Sequence, residues 1–379
     1  MKSRVIFAIA LVISIFTVDV NAQGLIVNKK DGEQINTTYR ALDNISTYID
    51  GSNNPGVIIT RKGGAQTTVP HTEFESIVPY AEVPLTGSEI GNGENVGWAN
   101  VTTIVEGTHG AIPDYINIYK ATRLQNKNCV AYIAVADLNK VKFNVLGDAN
   151  SLKTPSTQYN SYKAPILMNG GYFYQNSLSL IMRNGQLICP NVQVDSPDWN
   201  KTYYYMPRGT FAQNYDGTIE VSWVYTQTEY WGGTTYSYPT SMPLENGRIP
   251  MADYPAGGKV FSAETAAGGG PVLLKNGVIY NTHYDEYLHV NVDSNRPRTA
   301  LGYNPTTNRI VFFACAGDGI LYVNGFTLND LCYIFQDLGC TEAINLDGGG
   351  STVMLINGKQ IFAPSNGAQR SVGSFVTLE

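Results

Sequence analysis

The sequence predicts an α+β fold, an extensive mixed β-sheet with few helices, preceded by a small N-terminal accessory region. Three observations carry this expectation. Short apolar runs rich in Val, Ile, Tyr and Phe recur along most of the chain, bounded by Gly, Asn, Asp or Pro. Only one stretch has a clear helical period and both end signals. Polar, turn-rich sequence is concentrated before residue 105. A length of 379 residues suits one large domain, alone or with a smaller one.

The first 22 residues have the form of a signal peptide. Lys2 and Arg4 precede an apolar stretch from Val5 to Phe16, and Val20-Asn21-Ala22 allows a cut before Gln23. The apolar run is too short, and too soon interrupted by Asp19, to span a bilayer. No other segment is long and apolar enough to do so, which predicts an exported protein, periplasmic or extracellular. Residues 23–105 are assigned to the accessory region, with a short helix from Arg40 to Ile49, a loop over Asp50–Gly56 and a strand over Val57–Thr60. The main domain is expected over 106–379.

Within that domain, strands are expected at Ala131–Ala136 and Lys142–Leu146, flanking the turn Asp137–Lys140. Others follow at Ile166–Met168, Ile219–Tyr225, Val272–Leu274, Ile310–Ala314 and Val353–Ile356. The Tyr-rich segment Tyr203–Tyr238, with Trp223 and Trp231, reads as a strand pair plus a long exposed loop. Its rings suit either sugar stacking or a hydrophobic core. The helix begins at Thr327 and Asp330, carries Leu328, Leu331, Cys332 and Phe335 at helical spacing, and stops at Gly339. Strand Ala343–Leu346 comes next and delivers Asp347 at its carboxyl end, where ligand sites of open sheets collect.

Composition narrows the function. A net charge of −6 without a basic run argues against nucleic acid and anionic membrane as partners. The 25 tyrosines and 38 glycines, with only 15% charged residues, suit an exported, sugar-handling protein. Cys129, Cys189, Cys315, Cys332 and Cys340 are an odd number, lie in apolar surroundings and form no CxxC, so buried thiols are expected. Ser351 lacks the final glycine of a nucleophile elbow, no P-loop is present, and the histidines form no HExxH. His283, Asp285, Glu286 and His289 read as surface loop residues, with a metal cluster as the alternative; no metal ligand is assigned. No cofactor is required, and a calcium ion held by loop carboxylates is compatible with the sequence.

The chemistry concentrates in Asn345-Leu346-Asp347-Gly348-Gly349-Gly350-Ser351-Thr352. An apolar lead-in ends on one carboxylate, three glycines and two hydroxyls before the sequence turns apolar again. Glycines let backbone N–H groups approach an anionic or sugar-like ligand, whereas the plain alternative is a hairpin turn with a capping Asp. Upstream stand Met168-Asn169-Gly170-Gly171-Tyr172-Phe173, then Gly268-Gly269-Gly270-Pro271, then Arg296-Pro297-Arg298-Thr299-Ala300-Leu301-Gly302. Taken in this order, the four segments resemble the phosphodiester glycosidase family over roughly residues 106–379. One departure is Arg296, where the related pattern often has His.

That resemblance implies hydrolysis of the glycosidic bond between an N-acetylglucosamine-like sugar and phosphate, with a phosphodiester-linked glycan or sugar phosphate as the partner. Asp347, Glu264 and Asp318 are then the catalytic carboxylate candidates. Arg298, assisted by Arg296, would bind phosphate through its planar fork. Glycines 268–270 and 348–350, among them Gly269, Gly270, Gly348 and Gly349, would offer N–H groups. Asn169 would anchor the sugar, with Gly170, Thr299, Ser351 and Arg370 as further substrate contacts. A rival from another class is a module that binds anionic cell-surface glycans without cleaving them; a third is a structural envelope protein.

Overall fold

The computed structural model describes residues 22–31, 34–38, 42–49, 55–61, 66–81, 97–198, 201–228 and 232–379. The expected leader therefore lies outside the described residues apart from Ala22, as do residues 50–54 of the predicted loop and Trp231. Strand accounts for 43% of the described residues, which also form three helices. Every strand pairing among the described residues is antiparallel, so the expectation of a mixed sheet is corrected to several antiparallel ones.

The N-terminal region forms two three-stranded sheets, one from Ala22–Lys29, Gln34–Thr38 and Phe74–Ala81, the other from Leu42–Ile49, Pro55–Arg61 and Gln66–Pro70. Val27, Ile59 and Val69 are fully buried in a core that also takes Val57 and Ile77, so both sheets contribute to one small cluster. The helix expected from Arg40 to Ile49 is instead the strand Leu42–Ile49. Its β-branched Ile45, Thr47 and Ile49 alternate, and it pairs in register with Pro55–Arg61.

Three sheets build the remainder. An eight-stranded sheet runs in the order Val278–Ile279, Val272–Lys275, Glu342–Asn345, Arg298–Asn304, Arg309–Cys315, Lys127–Asp137, Ile116–Leu124 and Trp98–Asn100. Strict alternation sends Ala134, Ala136, Ile310, Phe312 and Ala314 to one face, and Ile133, Val135, Val311, Phe313 and Cys315 to the other. Both faces are covered. Against the second lies the helix Leu328–Asp337, through Leu328, Leu331, Cys332, Ile334 and Phe335. Against the first pack a five-stranded sheet, through Phe143, Ile166, Met168, Met354 and Val376, and a seven-stranded sheet, through Ile181, Phe211, Val221 and Trp223. The stretch Asp137–Lys140 does not close a hairpin: Lys127–Asp137 stays in the eight-stranded sheet, whereas Phe143–Gly147 joins the five-stranded one.

All five cysteines are buried free thiols, four of them in the core under the helix. Among the described residues no helix is long and apolar enough to cross a membrane. The helix itself starts on a complete capping box: Thr327 Oγ1 accepts from Asp330 N at 3.1 Å, and Asp330 Oδ2 accepts from Thr327 N at 2.7 Å. Gly339, at φ +70°, ends it as the sequence predicts. Thr327→Ala removes one half of the box and should lower stability by about 1 kcal/mol. Chemical denaturation of the variant checks this, with the far-UV spectrum of the folded state unchanged.

Candidate active site

Asp347 leaves the strand Glu342–Asn345 and is held by groups from two sheets. Its N–H donates to Gly170 O at 3.1 Å. Its carbonyl accepts from Asn169 Nδ2 at 2.8 Å and from Thr299 Oγ1 at 2.7 Å. Asn169 ends a strand of the five-stranded sheet and Thr299 lies in the eight-stranded sheet, so the acid sits where the two meet. The carboxylate accepts from Gly348 N at 2.9 Å and from the Ser351 hydroxyl. Burial nevertheless pushes its pKa up to about 6, against the pull of Ser351, Gly348 and the Arg370 charge. Near neutrality such a carboxyl exchanges protons readily.

A cavity of about 370 Å³ opens over this carboxyl. Gly348, Gly349 and Gly350 form part of its wall, with Tyr172 and the loop residues His289, Val290 and Asn291 on other sides. Gly349 has φ +58°, in the left-handed region that favours glycine. Arg296, Arg298 and Asp318 complete the lining. Arg296 Nη1 pairs with Asp318 Oδ1 at 3.0 Å, so these two charges offset each other. Arg298 differs. Its guanidinium donates to the carbonyls of Phe326, Val290, Asn291 and Ser294 at 2.8–3.1 Å. No carboxylate is paired with it among the described residues, which leaves a buried cation beside the cavity whose charge favours an anion there. Burial pulls its pKa down from the usual arginine value.

The structure brings together Asp347, Asp318, Arg298, Gly348 and Gly349, and sets Ser351 and Arg370 beside them; Arg370 Nη1 reaches Ser351 Oγ at 3.5 Å. Other residues singled out from the sequence stand apart from the cavity. Glu264 stands at the start of the strand Thr265–Gly268, about 13 Å of extended chain from the glycine run at its far end, and does not line the cavity. Asn169 is fully buried, and its amide is spent on Asp347 O, Gly170 O, Thr299 Oγ1 and Val353 N. It holds the Asp347 carbonyl in place. Thr299, also fully buried, does the same.

Gly170 donates its N–H to Ser374 O, and Gly268, Gly269 and Gly270 donate theirs to Leu180 O, Gly209 O and Asn345 O. None of these four N–H groups is offered to an anion. They are glycine for space: a Cβ on Gly269 would stand 2.5 Å from Asn345 O, and one on Gly270 2.5 Å from Glu286 Oε2. Trp223 is fully buried too, and so belongs to the core rather than to a sugar platform.

Sequence reasoning missed two residues. Glu286, read as a surface loop residue, is fully buried beneath the Gly270–Pro271 turn. It accepts from Gly209 N at 2.7 Å, Val272 N at 2.9 Å and Trp223 Nε1 at 3.2 Å, and burial raises its pKa. Apart from Thr282, whose hydroxyl also donates to it, its partners come from distant segments, so the local sequence does not mark it as buried. His289 lines the cavity, edge-on to Tyr287 with ring centroids 4.7 Å apart. Its neighbourhood with Arg298 is set by the carbonyls of Val290 and Asn291. His283, Asp285, Glu286 and His289 form no metal cluster, and none occurs elsewhere among the described residues.

Replacing Asn169 by Ala would leave the Val353 N–H and part of the Asp347 carbonyl unpaired in the interior, at a cost of about 1–3 kcal/mol. Denaturant titration measures it. A second expectation concerns pH. A carboxyl raised from 3.8 to about 6 favours folding while protonated, so this contribution is present below the unfolded value and is lost as pH rises through about 6. Thermal midpoints of the wild type and Asp347→Asn at pH 5 and pH 8 test the sign: the wild type should lose more stability between them.

Comparison with known proteins bears on this arrangement. The sequence model of the phosphodiester glycosidase family matches residues 162–379. No functionally curated protein matches the chain significantly. Among solved structures, a hypothetical protein from Synechocystis shares the fold at a TM-score of 0.50 and 14% identity, over 88% of this chain and 75% of that one. The catalytic domain of zebrafish N-acetylglucosamine-1-phosphodiester alpha-N-acetylglucosaminidase is similar at a TM-score of 0.48 and 20% identity, over 70% and 82%.

Proposed function

The chain belongs to the phosphodiester glycosidase family, and on that premise we propose that it hydrolyses the bond between a sugar and phosphate in phosphodiester-linked glycans. N-acetylglucosamine is the sugar class we assign, on the resemblance of its motifs. The observation that carries the reading is the Asp347 carboxyl, poised at about 6, on a loop fixed by two sheets and facing a cavity that also holds Arg298.

Water adds to the anomeric carbon while ionised Asp347 takes its proton. The bond from that carbon to the phosphate oxygen breaks, and its electron pair leaves with the phosphate. Free sugar and a phosphomonoester result. Phosphate is a good leaving group without protonation, so one well-placed carboxylate meets the main requirement. The buried Arg298 charge stabilises the phosphate dianion that develops. Arg296, tied to Asp318, lies at the same cavity and orients the diester. The leader-like first 22 residues support export to the compartment where such glycans are exposed.

A carboxyl kept near neutrality favours turnover over passive binding, because a binding site gains nothing from a half-protonated acid. Purified protein should release free sugar from sugar-1-phosphodiesters. Asp347→Asn should reduce kcat by about 10²–10⁴-fold. In the wild type, kcat/KM should fall as pH drops through about 6, since the base must be ionised. Failure to turn over any sugar phosphodiester, with glycan binding intact, would overturn the assignment in favour of a glycan-binding module.

A further inference from the structure

Two arginines and two carboxylates line the reaction cavity, Arg296 and Arg298 with Asp318 and Asp347. Their exposure differs. Arg298 is buried and bonded to peptide carbonyls, whereas the side chains of Arg296 and Asp318 are 43% and 29% exposed. The 3.0 Å contact between Arg296 Nη1 and Asp318 Oδ1 therefore lies on the solvent side of the cavity that Arg298 closes from within. Arg298 feels both partners: burial lowers its pKa most, and among the weaker influences Arg296 lowers it and Asp318 raises it. Asp318 is thus within electrostatic reach of the cation that meets phosphate.

A partly exposed ion pair adds little stability, and the loop that carries Asp318 has other anchors. Arg296 and Phe326 exchange both backbone hydrogen bonds across its base. Gly317 lies so close to the Arg296–Arg298 segment that a Cβ there would stand 2.6 Å from Pro297 N. Asp318 itself is held at φ +53°, a region that Asp and Asn enter more readily than other side chains. The backbone places this carboxylate against Arg296 at a conformational cost, although closing the loop does not require its charge.

The reaction supplies a reason for the charge. A phosphodiester carries one negative charge, and the monoester left by its hydrolysis carries close to two above a pH of about 6. Two unopposed arginines would hold that product more tightly than the substrate. We propose that Asp318, acting through Arg296, sets the charge of the cavity for a monoanionic phosphodiester and against the dianionic monoester. It is a specificity-determining residue that touches no reacting atom. The proposal rests on the hydrolase reading above for its purpose, but its test needs no turnover.

Dimethyl phosphate and methyl phosphate have no glycosidic bond and serve as monoanionic and dianionic probes at pH 8, with binding read by calorimetry. Removing one negative charge near the phosphate acts once on the first probe and twice on the second. Asp318→Asn should therefore tighten dimethyl phosphate about threefold and methyl phosphate about tenfold, which shifts the selectivity by about threefold. Asp318→Glu, which keeps the charge, should keep the wild-type ratio. Arg296→Gln should weaken both probes, the dianion more. An equal change for the two probes in Asp318→Asn, or no change, would overturn the proposal, as would the absence of binding to all four proteins. If the discrimination holds and no sugar phosphodiester is cleaved, the hydrolase reading fails alone. If turnover is found and Asp318→Asn affects the two probes alike, only the role of Asp318 fails.

Discussion

The peptide carbonyl of Asp347 is the point on which this molecule turns. Asn169 and Thr299 both donate to it, one from the five-stranded sheet and one from the eight-stranded sheet. The same Asn169 accepts from Val353, where the chain re-enters the five-stranded sheet after the glycine loop. A single buried amide therefore fixes both ends of the loop that bears the acid. Without it the two sheets would still bury their apolar faces, because that burial is non-directional. The carboxyl would no longer have a defined place over the cavity.

Electrostatics follow from this geometry. Fixing Asp347 in a half-closed position takes its carboxyl partly out of water and raises its pKa, while Gly348 and Ser351 keep it from being driven to permanent protonation. Arg298 is stabilised differently, by direct hydrogen bonds to peptide carbonyls and not by a paired carboxylate. Those carbonyls belong partly to the loop carrying His289. One cation thus shapes the opposite wall of the cavity and supplies its charge. Glu286 has the matching role below, gathering N–H groups from three segments under the Gly270–Pro271 turn.

Much of this was legible in the sequence, and the division is physical. The helix start at Thr327, its stop at Gly339 and the delivery of Asp347 from a strand end are local, encoded by residues within a few positions of one another. The four motifs could be grouped because each retains its order and type. Their roles were not legible, since a buried amide has the same name whether it binds a hydroxyl or a peptide. Asn169 and Thr299 were read as contacts for substrate, and the fold buries both against the Asp347 carbonyl. The glycines at 268–270 were read as donors to a ligand; their N–H groups pair with backbone carbonyls and a Cβ at each would clash. Glu286 escaped altogether, because what makes it matter is the burial contributed by Gly209, Trp223 and Val272. The antiparallel character of every sheet is likewise a property of pairing across long separations, which no single strand announces.

The placement of the acid at a seam between sheets has an operational consequence. Secondary structure within each sheet survives small relative shifts of the two layers, whereas under the proposed hydrolysis the alignment of one carboxyl to a reacting carbon does not. On that proposal, catalytic competence is the most sensitive gauge of how the layers register. Under heat or mild denaturant, inactivation would precede loss of strand signal. A preparation could look folded by every spectroscopic measure and yet be silent, which makes specific activity the proper standard of its integrity.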